Sequence, residues 1–154
     1  MEALVLGGSR FIGLHLVRLL SEQGHDVTVL NRGQTPVEFP VGIETLTADR
    51  TDAAQVKDAL EGTSYDVAFD ISGYTPESLA PVVDALEASV GRFVFCSTTS
   101  VYAPSDTAPI VEDSSLFRGP DAGQYARDKI LCEDLLMDAF NDRGFPVTIL
   151  RPPY

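Results

Sequence analysis

The chain has 154 residues, 44% of them hydrophobic, which suits a single domain with a substantial buried core. Its formal net charge is −12, with 11 Lys and Arg against 23 Asp and Glu, and this disfavours nucleic acid as a partner because phosphates are repelled. The sequence has no apolar run long enough to span a membrane and no signal-peptide pattern, so we expect a cytoplasmic protein without a membrane partner.

The acidic composition also fits a halophilic protein, the alternative being an ordinary acidic protein of the cytoplasm. Loss of structure at low salt would distinguish the two. The two cysteines, Cys96 and Cys132, lack the spacing of metal ligands and are predicted to be small buried hydrophobic residues. No cluster of Cys, His and Asp predicts a metal site.

The stretch 3–13 predicts a buried strand, a glycine turn and the start of a helix. Gly7, Gly8 and Gly13 form a variant of the dinucleotide-binding fingerprint. Glycine permits the tight turn after the strand and the close approach of the helix, and the N–H groups at the helix start favour a pyrophosphate. We therefore predict a nucleotide site here, although tight turns without a ligand also use glycine.

Short apolar runs alternate with helical patterns along the whole chain. The predicted strands span 3–6, 26–30, 43–47, 65–71, 92–97 and 146–150. The predicted helices span 11–23, 53–60 after an N-terminal cap at Asp52, 76–89 and 124–141, with a long loop at 104–123. This alternation predicts an α/β, Rossmann-like fold, a doubly wound parallel sheet of six strands in the order 3-2-1-4-5-6.

Ligands of such sheets bind beyond the carboxyl ends of the strands, so the candidate site residues are sought there. The segments at those ends are 7–13, 31–32, 49–50, 71–73, 97–99 and 151–153. At the second strand, Asn31 stands where an acidic residue would bind the adenosine ribose, and Arg32 follows it. Arg10 and Arg32 could both contact a 2′-phosphate, which favours NADP over NAD. The alternative is that both arginines face solvent.

Asp49 follows the third strand and could accept a hydrogen bond from the adenine amino group. A second interpretation is that Asp49 belongs to the capping region of the next helix, together with Asp52.

Tyr125 and Lys129 are four residues apart and share one helix face. An ammonium beside a phenol favours the phenolate, so the pair predicts an acid/base group. An exposed pair on a solvated helix is the alternative. The hydroxyls at 97–100, after the fifth strand, could hydrogen-bond a substrate oxygen or simply cap the strand end.

These features together resemble the extended short-chain dehydrogenase/reductase family of NAD(P)-dependent epimerases and dehydratases, over essentially the whole chain. The resemblance rests on the glycine turn, Asp49-Arg50, Cys-Ser-Thr-Thr-Ser-Val-Tyr at 96–102, Tyr125 with Lys129, and Leu-Arg-Pro-Pro at 150–153. It implies that Thr98 is a catalytic hydroxyl, that Tyr125 is the acid/base, and that Lys129 tunes Tyr125 and holds the nicotinamide ribose. It also implies a structural role for Tyr102.

The candidate cofactor-binding residues, taken from the spacing and from the resemblance together, lie at the strand ends already described and on the helix 124–141. They are Gly7, Gly8, Ser9, Arg10, Phe11, Ile12, Gly13, Asn31, Arg32, Asp49, Arg50, Ile71, Ser72, Gly73, Tyr125 and Lys129. The resemblance implies an NAD(P)-dependent epimerase/dehydratase-like oxidoreductase that transfers a hydride, most often on a nucleotide sugar.

The glycine turn and Asn31-Arg32-Gly33 also resemble a subgroup that includes the RNA-binding chloroplast stem-loop-binding proteins. A non-catalytic nucleotide-sensing or RNA-binding protein is therefore the alternative, which the retained catalytic residues and the negative charge disfavour. Family members continue past the Arg-Pro motif into a substrate-binding region. We expect 1–154 to be an amino-terminal NAD(P)-binding domain, of little activity alone, that pairs as a homodimer through 76–89 and 124–141.

Overall fold

The computed structural model describes residues 1–106 and 108–153. Thr107, within the predicted loop 104–123, and Tyr154 lie outside the described residues. The strands are β1 (Glu2–Leu6), β2 (Asp26–Asn31), β3 (Glu44–Thr47), β4 (Val67–Asp70), β5 (Phe93–Cys96) and β6 (Val147–Leu150). The helices are α1 (Phe11–Glu22), α2 (Ala53–Leu60), α3 (Pro76–Leu86) and α4 (Gln124–Arg143), and a 3₁₀ turn spans Thr99–Val101.

The six strands form one parallel sheet in the order β3-β2-β1-β4-β5-β6. The order reverses between β1 and β4, which pair side by side with Leu4 opposite Ala68. The predicted fold, a Rossmann-like doubly wound sheet, is confirmed. Its carboxyl ends bring the glycine turn after β1 next to the loop after β4, where a crevice forms.

The core has two layers because successive side chains of a strand point to opposite faces of the sheet. Leu4 and Leu6 of β1 lie in the larger cluster, with the buried faces of α2, α3 and α4. Ala3 and Val5 lie in the second cluster, against α1. Each fully buried Val or Leu contributes roughly 1.5–3 kcal/mol to stability.

Helix boundaries follow local signals that the sequence contains. Asp52 accepts hydrogen bonds from the amides of Ala54 and Gln55 and so caps α2. Thr75 and Ser78 form a capping box at the start of α3. Gly144 ends α4 in the left-handed conformation, with φ of 70°.

The buried face of α1 differs from the predicted apolar spacing at Ile12, Leu16, Leu19 and Leu20. Gly13, Val17 and Leu20 face the sheet, whereas Ile12 and Leu19 are 58% and 51% exposed. The reason is the close contact of Gly13 with the turn, which fixes the rotation of the helix. Within residues 1–106 and 108–153, no helix combines the length and apolar character needed to cross a bilayer.

Candidate functional site

The turn after β1 can only be built with glycine. Gly7 has φ of +96°, and a Cβ there would lie 2.6 Å from the Cβ of Ser72. A Cβ on Gly8 would lie 2.9 Å from the side chains of Val17 and Val29, and one on Gly13 would collide with the carbonyl oxygen of Gly7. The turn therefore presents bare backbone at the sheet edge.

The start of α1 lacks the usual side-chain cap. Arg10 occupies the N-cap position in an extended conformation, its side chain makes no capping hydrogen bond, and the first turn of α1 contains no acidic residue. Phe11 has φ of 44°, unusual for a residue other than glycine, and its side chain is 83% exposed. The first amides of the helix and the positive end of its dipole are thus available to an anion.

Two adjoining cavities lie along the carboxyl ends of the strands. The first, of about 380 Å³, lies over the ends of β1, β2 and β3, and the second, of about 590 Å³, lies between the glycine turn, β5 and α4. Their linings share Gly7, Ser9, Thr35, Ser72 and Tyr74. Together they form one cleft across the switch in strand order.

The structure brings most of the predicted site residues to this cleft. The first cavity is lined, among others, by Gly7, Ser9, Asn31, Arg32, Asp49, Arg50 and Ser72. The second is lined, among others, by Gly7, Ser9, Arg10, Phe11, Ile12, Ile71, Ser72, Tyr125 and Lys129. Neither lining includes Gly8, Gly13, Gly73 or Thr98.

Arg10 and Arg32 line different cavities of this cleft. Arg32 lies in the first cavity beside Asn31. The Oδ1 atom of Asn31 accepts a hydrogen bond from the Gly33 amide at 2.7 Å, which shapes the turn after β2.

Asp49 is engaged locally. Its Oδ1 atom accepts from the amide of Thr51 at 3.0 Å and from the Thr51 hydroxyl at 2.8 Å. These hydrogen bonds, with a smaller contribution from the positive charge of Arg32, hold the pKa of Asp49 below its usual value. The structure thus supports the capping-region interpretation while leaving Asp49 in the cavity lining.

Arg50 makes four hydrogen bonds to protein acceptors. Nε donates to the carbonyl oxygen of Ser78 at 2.8 Å, and Nη1 donates to Ser72 Oγ at 2.8 Å and to Asp70 Oδ1 at 2.8 Å. Nη2 donates to Asp70 Oδ2 at 2.6 Å. The side chain is 13% exposed and that of Asp70 is fully buried, so this is an internal ion pair beneath the cleft.

Lys129 is buried, with 1% of the residue exposed. Its Nζ donates to the carbonyl oxygens of Gly73 at 2.8 Å and Cys96 at 2.6 Å, and it lies 4.5 Å from the ring centroid of Phe95. Burial lowers the pKa of Lys129, and the negative charge of Asp70 opposes that shift. The solvated-pair alternative is wrong for this lysine, because α4 inserts it between the ends of β4 and β5.

Tyr125 lies at the rim of the second cavity and is 37% exposed. Its ring centroid is 6.4 Å from that of Tyr74, and Nζ of Lys129 lies 5.2 Å from the centroid of Tyr74. Sequence reasoning missed Tyr74, although its place directly after the loop 71–73 is a signal that could have identified it.

Thr98 lies outside the cleft lining and is 1% exposed. Its Oγ1 atom accepts from the Ser100 amide at 3.1 Å and donates to Ser100 Oγ at 3.2 Å, which caps the 3₁₀ turn. A catalytic hydroxyl at Thr98 stays a prediction.

A second internal ion pair lies behind the cleft and was also missed. Arg151 donates to both carboxylate oxygens of Glu133, at 3.0 and 2.6 Å, and to the hydroxyl of Tyr102 at 2.9 Å. Ser97 donates to Glu133 Oε1 at 2.5 Å. Glu133 is 2% exposed, so this network joins the ends of β5 and β6 to α4.

Among the described residues, no three Cys, His, Asp or Glu side chains are grouped as a metal site would require. The cleft lining includes arginines, a lysine, hydroxyl groups and aromatic rings, with Asp49 as a carboxylate of the first cavity.

The model of the NAD dependent epimerase/dehydratase family matches residues 3–154. A chloroplast stem-loop binding protein of 41 kDa from Arabidopsis thaliana is 33% identical over 99% of this chain and 42% of its own length. A 2′-dehydrokanamycin reductase from Streptomyces kanamyceticus is 28% identical over 98% of this chain and 42% of its own length. A UDP-glucose 4-epimerase from Azospirillum brasilense is 26% identical over 97% of this chain and 48% of its own length.

Solved structures show the same fold. Pal from Bacillus thuringiensis superposes with a TM-score of 0.86 at 23% identity, over 99% of this chain and 56% of its own. The epimerase Mth375 from Methanothermobacter thermautotrophicus superposes with a TM-score of 0.84 at 20% identity, over 97% of this chain and 50% of its own. The chain spans about half the length of the relatives it matches.

Proposed function

The chain belongs to the NAD-dependent epimerase/dehydratase family, and from this premise we propose that it is the dinucleotide-binding part of an oxidoreductase that acts on a nucleotide sugar or related carbohydrate. The observation that carries the proposal is the location of Tyr125 and the buried Lys129 in one cavity with the glycine turn. A desolvated lysine and a partly exposed phenol in one cavity supply the two groups that acid/base chemistry needs.

The residues present fit a dinucleotide. Side chains at Gly7 and Gly13 would fill the turn, and the uncapped first amides of α1 suit a pyrophosphate. We assign the adenosine half to the first cavity, beside Arg32 and Asp49, and the nicotinamide half to the second. When bound, the nicotinamide ring supplies hydride transfer to and from a substrate carbon.

The protein's own contribution is proton transfer and orientation. We assign to Tyr125 the exchange of a proton with the substrate hydroxyl, and to the Lys129 ammonium the stabilisation of the phenolate. Gly73 and Cys96 hold that ammonium through their carbonyl oxygens. Thr98 is proposed as a hydrogen-bond donor to the same substrate oxygen, which requires its hydroxyl to exchange Ser100 for substrate.

We propose NADP over NAD as the cofactor. The observation in favour is Arg32 in the first cavity beside the uncharged Asn31, because a carboxylate at that position would repel a 2′-phosphate. Arg10 lines the second cavity, so Arg32 is the primary phosphate contact in this proposal.

We also propose a homodimer formed through α3 and α4. Leu131, Met137 and Phe140 of α4 are 50%, 42% and 49% exposed, more than large apolar side chains need be. The cytoplasmic location and the salt adaptation expected from composition stay predictions.

One relative is named for stem-loop binding, so RNA binding is the competing function. A net charge of −12 opposes it, since affinity for nucleic acid comes largely from neutralised phosphates. The retained Tyr125 and Lys129 also favour the enzyme.

Calorimetric titration with NADP⁺ and NAD⁺ tests the proposal. We expect NADP⁺ to bind more tightly, and Arg32→Ala to weaken NADP⁺ roughly tenfold to hundredfold, as the loss of a charge-assisted hydrogen bond does. Its effect on NAD⁺ should be small. Arg18→Ala, an exposed arginine on α1, removes the same charge away from the cleft and serves as the control.

Three outcomes contradict parts of the proposal. Failure of both dinucleotides to bind would contradict the cofactor assignment. Equal losses of NADP⁺ affinity in Arg32→Ala and Arg18→Ala would contradict the contact with the 2′-phosphate. Tight binding of a stem-loop RNA without either dinucleotide would favour the competing function.

A further inference from the structure

We propose that the buried Arg50–Asp70 ion pair is a positioning device that fixes the loop 71–73 and, through the Gly73 carbonyl, the ammonium of Lys129. Its catalytic consequence rests on the proposed function, whereas its structural part does not. In this inference Arg50 and Asp70 are positioning residues and do not themselves touch the reacting atoms.

Arg50 joins three segments of the cleft floor. It follows β3, its Nε donates to the Ser78 carbonyl in the first turn of α3, and its Nη atoms donate to Asp70 at the end of β4. A planar guanidinium can make these bonds at fixed angles, which an ammonium cannot reproduce. One side chain therefore bridges the three segments at the floor of the cleft.

The loop 71–73 is held against the same pair. Asp70 Oδ1 accepts from the Ser72 amide at 3.0 Å, and Ser72 Oγ accepts from Arg50 at 2.8 Å. A Cβ on Gly73 would lie 2.7 Å from Asp70 Oδ2, so the loop passes directly over the carboxylate. The loop also abuts the glycine turn, because a Cβ on Gly7 would collide with Ser72.

Lys129 depends on that loop for half of its support. Its Nζ donates to the Gly73 carbonyl at 2.8 Å and to the Cys96 carbonyl at 2.6 Å. Cys96 belongs to β5 and is fixed by the sheet, whereas Gly73 lies beyond the end of β4, two residues past the Ile71 amide that donates to the Leu6 carbonyl of β1 at 3.0 Å. Displacement of the loop would remove one of the two acceptors that define the ammonium's position.

The effect on Lys129 is more geometric than electrostatic. Burial lowers the pKa of Lys129, Asp70 raises it and Arg50 lowers it, so the charges of the pair act in opposite directions. A variant that removes both charges removes two opposing influences, of which that of Asp70 is the larger. The test therefore reads the geometry of the Lys129 side chain directly and does not rely on its pKa.

The test compares Arg50→Met/Asp70→Asn with Arg118→Met/Asp134→Asn, the same change at an exposed pair that joins the segment before α4 to Asp134 of α4. The measurement is NMR spectroscopy of protein that carries ¹³C-labelled lysine, which gives signals from only Lys57 and Lys129. A lysine held in one geometry has two distinct Hε shifts, whereas exposed Lys57 has averaged ones and serves as an internal reference.

In the wild-type protein we expect separated Hε signals for Lys129. In the folded Arg50→Met/Asp70→Asn variant we expect that separation to collapse towards the Lys57 value and NADP⁺ affinity to fall at least tenfold. The Arg118→Met/Asp134→Asn control should leave both unchanged. Circular dichroism and a thermal melt establish that each variant is folded.

A folded double variant that retains the wild-type Lys129 signals would overturn the inference. Should that variant not fold, Arg50→Lys takes its place, because it keeps the charge but cannot bridge Asp70, Ser72 and Ser78. We expect the Lys129 signals of Arg50→Lys to move partway towards the Lys57 value. Unchanged Lys129 signals in Arg50→Lys would also overturn the inference. Wild-type protein with a fixed Lys129 that binds no dinucleotide would contradict the proposed function alone.

Discussion

The two halves of the cleft are built in different ways. In the half over β2 and β3, hydrogen bonds such as those of Asn31, Asp49 and Asp52 join residues two or three positions apart and are exposed. In the half over β4, β5 and β6, bonds such as those from Arg50 to Asp70, from Lys129 to Gly73 and from Arg151 to Glu133 join residues 18 to 56 positions apart and are buried or partly buried.

This difference indicates which bonds contribute most to the stability of the fold and to the positioning of the cleft residues. Exposed local bonds shape single turns and contribute little each, because water competes for the same groups. Buried long-range ion pairs tie several elements together, and removal of one partner leaves a charge without compensation. We therefore expect the second half to be far less tolerant of substitution than the first.

The largest effect is expected from Arg151→Met. This change leaves the carboxylate of Glu133, whose side chain is 3% exposed, with Ser97 as its remaining described hydrogen-bond donor. Loss of one partner of a buried pair destabilises by about 3–5 kcal/mol. Urea unfolding followed by circular dichroism measures the change in the free energy of unfolding.

Arg118→Met is the matched control, since Arg118 also bonds both oxygens of an α4 carboxylate, Asp134, at 2.8 and 2.7 Å. Those side chains are 55% and 42% exposed, so the expected loss is about 0–1 kcal/mol. Equal losses in the two variants would contradict the distinction between buried and exposed pairs.

A smaller effect is expected from Gly13→Ala, which tests the backbone-built half. The added Cβ would collide with the Gly7 carbonyl oxygen and force α1 away from the turn. Overpacking of this kind costs about 1–3 kcal/mol. Chemical denaturation measures it, and the dinucleotide affinity should fall with the displaced helix.

Gly123→Ala provides the comparison for that test. A Cβ on Gly123 would have nothing within 4 Å, and its φ of −60° suits any residue. Because Gly123 is the N-cap of α4 and alanine is a poorer N-cap than glycine, the free energy of unfolding should fall by at most about 1 kcal/mol. A Gly13→Ala variant as stable as Gly123→Ala would show that the close approach at the turn is not required.

The smallest effect concerns pH. Burial raises the pKa of the Cys132 thiol from 9.0 to about 12. Between those values the unfolded chain has lost the proton and the folded chain keeps it, so the stability from this group is present below pH 9 and falls as pH rises. The decline is at most about 1.4 kcal/mol per pH unit.

Cys132→Ala removes this contribution, so its stability should decline less between pH 9 and 10 than that of the wild type. The comparison uses slopes, because the truncation itself lowers stability at every pH. Identical slopes would contradict the raised pKa. In the folded wild-type protein, Cys132 should also react far more slowly with a thiol reagent at pH 8 than after unfolding.

The fold and most of the cleft could be predicted from the sequence. Local signals are sufficient for them: apolar runs define strands, Asp52 and Gly144 delimit helices, and the glycine turn locates the crevice. The strand bounds differ by one or two residues, as at β4, where the predicted 65–71 becomes Val67–Asp70.

What could not be predicted depends on tertiary contacts between distant residues. Nothing near Arg50 in the sequence indicates that Asp70 and Ser78 take its donors. Glu133 and Arg151 look like ordinary surface charges until α4 and β6 bring them together. Thr98 similarly lies outside the cleft lining, because its buried hydroxyl caps the 3₁₀ turn at Thr99–Val101.

The conformation of Phe11 has a consequence for protein engineering. A left-handed φ of 44° is strained in any residue with a Cβ, and a ring that is 83% exposed gains little from burial in return. A library screened only for heat resistance would therefore enrich glycine at this position. Glycine at this position would change the conformation of the first amides of α1. The most heat-resistant clones would therefore be poor starting points for work on ligand binding.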